Sequence, residues 1–177
     1  MEIKDTYVDT LGRKIDYVYR EGVDPVQEAQ GELIQGIRGV DCYCFYKDKL
    51  IVVFDGDKKY WAPVKGGIEA GETFEQAVIR EVKEEANMKI LHQEFIGFKD
   101  FYDPEGIQEI RRIISSLCIV EPYGDFVADP DGDITEIKLI DPQDYKKYFN
   151  WGIIGEHIMK RALELKAVFE KNKKGNQ

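Results

Sequence analysis

Histidine and cysteine are scarce in this sequence, two and three residues in a chain of 177. Cys42, Cys44 and Cys118 are odd in number, and with two distant histidines they do not make a zinc site. They read as small buried apolar residues in a reducing compartment. Basic residues are outnumbered, 25 against 34 acidic ones, for a net charge of -9. That balance excludes broad electrostatic binding to a nucleic acid polymer or an anionic membrane. It leaves an anionic small molecule open, because a bound divalent cation reverses the sign of a site locally. No apolar run approaches the roughly 18 residues of a membrane span. The start, MEIKDTYVDTLGRK, has no apolar stretch of the signal-peptide kind. A cytoplasmic location is the expectation. Internal repeats and domain linkers are lacking too, so the chain reads as one domain over 1–177. Its parts are an N-terminal hairpin and linker (1–36), a core (37–150), and a C-terminal helix and tail (151–177).

What is present begins with alternation. IKDTYVD and KIDYVYR alternate apolar and polar residues around Leu-Gly-Arg and predict a β-hairpin over 3–20. Residues 21–36 read as a linker or substrate-side loop. Two or three strands follow, with LIVVF a central strand covered on both faces. Residues 88–102 and 107–122 read as a large antiparallel hairpin about an Asp103-Pro104-Glu105-Gly106 turn, and ITEIKLI as the last strand. Asp141 and Pro142 start a short helix. A final helix over about 152–171 carries Ile154, Ile158, Ala162, Leu165 and Phe169 on one face, ahead of a frayed tail. This order implies a mixed sheet with helices on both faces.

The chemistry is concentrated in GGIEAGETFEQAVIREVKEEANM, Gly66 to Met88. Thr73 and Gln76 have the spacing of a capping box. Phe74, Val78, Val82 and Ala86 make an apolar stripe. Glu81 and Glu85 are neighbours one turn apart, flanked by Glu84, and three such carboxylates repel unless a cation sits among them. Arg80 is placed to pair with Glu84, four residues on, which leaves Glu81 and Glu85 for a hard divalent cation. Gly66 and Gly67 let backbone approach a ligand closely. Glu72, just ahead of the helix, reaches the cluster as a base or water ligand. Asn87 suits the left-handed position where the helix stops.

These residues are similar to the signature of the Nudix hydrolases, G-x5-E-x7-R-E-U-x-E-E-x-G-U, with U a bulky aliphatic residue. Gly66, Glu72, Arg80, Glu81, Val82, Glu84, Glu85 and Met88 all match; Asn87 stands where the last glycine belongs. The resemblance is specific over 61–88 and extends as a strand-and-helix pattern over about 38–165. It implies an α/β fold, a Nudix-like α/β/α sandwich with a mixed β-sheet, here with an added N-terminal β-hairpin and a C-terminal helix. It implies Mg²⁺ (or Mn²⁺) held by Glu81 and Glu85, with help from Glu84 and the Lys65 carbonyl. Arg80 would orient the glutamates and Glu72 would act through water. The implied substrate is a small nucleotide or nucleotide sugar, an ADP-ribose-like compound or a (d)NTP, bound by Lys65, Gly66 and Gly67. For the general base, Asp125, Asp129, Asp131 and Asp133 in an acidic loop are candidates; Glu121, Glu109 and Glu81 are alternatives. The hairpin is similar in layout to strands that some ADP-sugar cleavers use to form homodimers. A catalytically idle binding or regulatory module on the same fold is the alternative function, and an isomerase on a related fold is a third.

Overall fold

A computed structural model describes residues 1–8, 12–26, 37–102, 111–126 and 132–175. Its strands are β1 (Glu2–Val8), β2 (Lys14–Arg20), β3 (Ile37–Tyr46), β4 (Lys49–Asp55), β5 (Tyr60–Ala62), β6 (Val64–Gly67), β7 (Met88–Phe101), β8 (Arg111–Pro122) and β9 (Ile134–Ile140). Its helices are α1 (Phe74–Ala86) and α2 (Gly152–Gly175), with a short 3-10 helix at Pro142–Lys147. Among the described residues the strands form one sheet in the order β1-β2-β7-β8-β3-β4-β5, with β6 on β3 and β9 on β4. The pairing of β3 with β8 is parallel, which makes the sheet mixed.

Alternation along β3 sorts the two cores, since successive side chains leave opposite faces. Val40, Cys42 and Cys44 join Ala77, Val78, Val82 and Ala86 of α1 in one cluster. Tyr43 and Phe45 join Ile154, Ile158, Met159 and Ala162 of α2 in the other. The sandwich implied by the sequence is therefore present. β4 is covered on both faces as expected, with Leu50, Ile51, Val52 and Val53 all buried. Cys42, Cys44 and Cys118 are buried free thiols under α1. The C-terminal helix runs longer than its periodicity indicated, to Gly175, and half-buried Phe169 stacks on the His92 ring at 4.5 Å. No helix among the described residues is long and apolar enough to cross a membrane. The Leu11 end of the first turn, most of the 21–36 segment and the Asp103–Gly106 turn lie outside the described residues.

The N-terminal hairpin docks on the sheet through β2 and β7. A buried charge network fixes that joint. Arg112 makes a two-pronged pair with Asp100, each contact 2.8 Å, and also donates to the Pro25 carbonyl at 2.6 Å. Arg20 reaches the same Asp100 from β2 at 2.8 Å. Planar guanidinium groups suit this double contact with one carboxylate.

Candidate active site

The start of α1 is built as its sequence specifies. Thr73 accepts from the Gln76 N–H at 3.3 Å, and the Gln76 side chain accepts from the Thr73 N–H at 2.9 Å, a complete capping box. The helix ends at Asn87, which adopts the left-handed conformation at φ 51°. Between these ends the apolar stripe docks α1 on the sheet and turns the carboxylates toward β6. Glu85 Oε2 accepts from the Lys65 backbone N–H at 3.0 Å. Glu81, 8% exposed, lies against Gly66. A Cβ at position 66 would fall 1.9 Å from Glu81 Oε1, so only glycine leaves room for that carboxylate. The motif's Gly66 and Glu81 are thus one steric unit.

Arg80 is the hub. It clamps Glu72 with two bonds of 3.0 Å, reaches Glu81 at 2.7 Å and Glu84 at 3.1 Å, and donates to the Gly67 carbonyl at 2.8 Å. The sequence assigns Arg80 to Glu84; the structure extends its reach to Glu81 and Glu72, because the guanidinium fork offers five donors. These carboxylates, Glu72 first, hold the guanidinium's pKa above its ordinary value. In return, the hydrogen bonds from Arg80 lower the Glu72 pKa below the usual glutamate range. A depressed carboxyl pKa adds stability that is complete above the ordinary glutamate range and lost as pH falls through the depressed value. In a carbon-13 NMR titration the Glu72 carboxyl is expected to titrate below the ordinary range. Arg80→Met should return it there; an unchanged midpoint would dissolve the hub.

The donor set suits a hard divalent cation. Glu81 and Glu85, four residues apart, converge on the Lys65–Gly66 backbone. In an extended strand the Lys65 carbonyl leaves by the same edge as the N–H that Glu85 accepts. Carboxylate and carbonyl oxygens are what magnesium and manganese prefer. Among the described residues no three acidic, histidine or cysteine side chains stand grouped as ligands.

Of the base candidates, Asp125 is held at the end of α1: its carbonyl accepts from the Asn87 side chain at 2.7 Å, and the Tyr123 N–H donates to the Asn87 carbonyl at 3.0 Å. Asp133 sits by the turn after β4, its carbonyl accepting from Gly56 at 2.7 Å. Asp129, Asp131 and Glu109 lie outside the described residues. The tie from Asn87 to the acidic loop was not read from sequence; an amide where the motif has glycine was the available signal.

Lys65 and Gly66 also border a cavity of about 730 Å³ on the α2 side of the sheet. It extends to Lys99 and Phe101 of β7, to Trp151, and to Asp5–Val8 of β1. Its size is ordinary for a small-molecule site. The Lys65 ammonium stands 5.2 Å from the Tyr60 ring centroid at this border.

A mixed sheet between helices, with an arginine-organised glutamate helix facing a glycine strand end, defines an α/β/α sandwich with its acidic helix against the sheet. The family model for the NUDIX domain matches residues 37–161, and the chain belongs to the Nudix hydrolase family. No curated protein matches the chain in sequence. Among solved structures, the Bacillus subtilis pyrophosphohydrolase BsRppH shares the fold at a TM-score of 0.67 and 14% identity, over 90% of this chain and 96% of that one. The NUDIX domain of Shewanella oneidensis NrtR, solved with ADP ribose, aligns at 0.58 and 14%, over 81% and 93%. A C. elegans Ap4A hydrolase aligns at 0.54 and 18%, over 75% and 98%.

Proposed function

We propose that this protein hydrolyses the diphosphate linkage of a nucleoside diphosphate derivative, an ADP-ribose-like or sugar-nucleotide compound or a (d)NTP, by attack of water at phosphorus. The observation that carries this reading is the convergence of Glu81 and Glu85 on the Lys65–Gly66 backbone, with Arg80 fixing their neighbours. Glu81, Glu85, Glu84 and the Lys65 carbonyl would hold Mg²⁺ or Mn²⁺. A bound divalent cation there supplies charge neutralisation on phosphate oxygens and acidifies water.

The rest falls to this chain's own residues. Arg80 holds the carboxylates in place and keeps their mutual repulsion tolerable. Glu72 fixes Arg80. Gly66 and Gly67 let the phosphates approach the backbone, and the Lys65 ammonium offers a point charge beside them. Phosphoryl transfer asks for this kind of positioning more than for covalent chemistry. The proton from water goes to a carboxylate of the loop tied to Asn87, Asp125 being the described member, with Glu81 the alternative within the helix. An idle binding module would gain stability by shedding the Glu81, Glu84 and Glu85 repulsion, and this chain keeps all three.

The test is a substrate panel. ADP-ribose, nucleoside triphosphates, dinucleoside polyphosphates and sugar nucleotides are incubated with the protein and Mg²⁺ or Mn²⁺, and phosphate-containing products are quantified. Turnover of at least one member, abolished by EDTA, is expected. No turnover on any member with either metal would overturn the enzyme reading.

A further inference from the structure

The cavity beyond Gly66 carries an ion pair that the hydrolytic site does not use. Lys99 and Asp41 are each 5% exposed. The Lys99 ammonium bonds Asp41 Oδ2 and stands 4.9 Å from the Trp151 ring centroid and 6.0 Å from that of Phe101. Among the described residues Asp41 is the ammonium's only hydrogen-bond partner. Asp41 Oδ2 also accepts from Ser115 at 3.5 Å, while its Oδ1 has no hydrogen-bond partner among the described residues.

A buried ion pair is often only structural, and the molecule contains one to compare. The Arg112–Asp100 pair is sealed, with Arg20 and the Pro25 carbonyl completing its contacts. The Lys99–Asp41 pair instead opens into the cavity with donor and acceptor capacity left over, between two aromatic rings. An ammonium donates and a carboxylate accepts, so capacity that faces the cavity is available to a ligand seated there.

The cavity's far wall is also informative. Asp5–Val8 and Tyr17 line it, and they precede residue 37, where the family match begins. Tyr17 stacks on Phe101 with 5.2 Å between centroids, and Tyr7 meets both rings edge-on. The pocket is therefore finished by a segment outside the common Nudix body, and that segment stiffens the Phe101 wall.

We propose that Lys99 and Asp41 are specificity-determining residues that read the edge of a nucleobase seated in this cavity against Trp151, and that they select guanine over adenine. The proposal rests on reading the chain as a nucleotide hydrolase. A flat ring fits aromatic walls. At its edge an ammonium only donates and a carboxylate only accepts. Guanine presents a keto oxygen for Lys99 and two adjacent N–H donors, on N1 and N2, for Asp41. Adenine presents one acceptor and one amino group, so it makes one contact fewer and loses the ammonium–keto bond. With the base at this depth, the phosphates extend toward Lys65 and Gly66 at the cavity border.

Isothermal titration with GMP, IMP and AMP in EDTA tests this without any turnover. GMP is expected to bind at least about tenfold more tightly than AMP, with IMP, which lacks the N2 amine, between them. Lys99→Met should cost GMP roughly tenfold or more and level GMP with AMP. Should Lys99→Met fail to fold because Asp41 is stranded, the double variant Lys99→Met, Asp41→Leu removes both charges and must show the same levelling. Equal affinity for GMP and AMP in the unaltered protein overturns the proposal, as does a GMP preference that survives in either folded variant. Because the monophosphates are not hydrolysed, a guanine preference stands even if the substrate panel shows no turnover. Turnover without that preference sinks this inference alone.

Discussion

Glu85→Gln is expected to lower turnover by at least roughly 10³-fold, as loss of a single preorganised charge-stabilising group does elsewhere. The melting temperature should stay within about 2 °C of the starting protein. The amide keeps the shape of the carboxylate and an oxygen to accept the Lys65 N–H now bonded at 3.0 Å. What it removes is a negative charge, and with it one hard oxygen ligand of the proposed metal set. On folding the change is near neutral, because the crowded Glu81, Glu84 and Glu85 repel one another across one turn of α1. Initial rates on the best substrate of the panel, with calorimetric melting of the same preparation, decide the matter. A variant that keeps a tenth of its activity would remove Glu85 from the metal set.

Gly66→Ala separates activity from stability in a different way. The added Cβ would meet Glu81 Oε1 at 1.9 Å and the carboxyl carbon at 2.0 Å. Because the obstacle is the end of a flexible side chain, the fold yields by moving the carboxylate. A displacement of about 1 Å at a reacting site costs on the order of 10²-fold in rate, and that is the loss expected, with the protein still folded. Gly97→Ala is the contrast. Its Cβ would meet the Arg20 carbonyl and the Tyr19 ring, both at 2.6 Å, where the β2 joint cannot yield so cheaply. A stability loss of about 1–3 kcal/mol is expected there, with activity per folded molecule retained. Urea unfolding and rates measured on both variants compare them directly. If Gly66→Ala is fully active, the packing of Glu81 on Gly66 has no bearing on catalysis.

The residues that sequence made legible are those whose meaning is local. Thr73 and Gln76 close a capping box within four positions, and Val78, Val82 and Ala86 repeat at helical spacing, so α1 follows from local sequence alone. Glu81 and Glu85 could be placed on one face by the same periodicity. Arg80 was only partly legible: its i to i+4 bond to Glu84 follows from helix geometry, but its clamp on Glu72 and its bond to the Gly67 carbonyl depend on how the preceding turn folds back. The parallel pairing of β3 with β8 joins residues some seventy positions apart and leaves no local mark. The Lys99–Asp41 pair was hidden for the same reason, since each looks like an ordinary charged residue in a strand until the fold buries both. Asn87 looked like a conformational substitute for glycine and proved also to be a side-chain tether for the Asp125 loop.

The sheet order has a consequence for how the molecule is made. β1 and β2 are synthesised before β7, and β2 pairs with Phe98–Phe101 of that strand, about eighty residues later. Such distant pairing is slow, because a long stretch of chain must be ordered before the contact is rewarded. While the chain emerges from the ribosome, the hairpin has no sheet to join, and two strands alone are marginal in water. α1 and its glutamates, by contrast, lie beside β6 in sequence and can form early. The carboxylate cluster thus draws on neighbouring stretches of chain, whereas the cavity wall joins Tyr7 and Tyr17 of the hairpin to Phe101 and to Trp151, just ahead of α2.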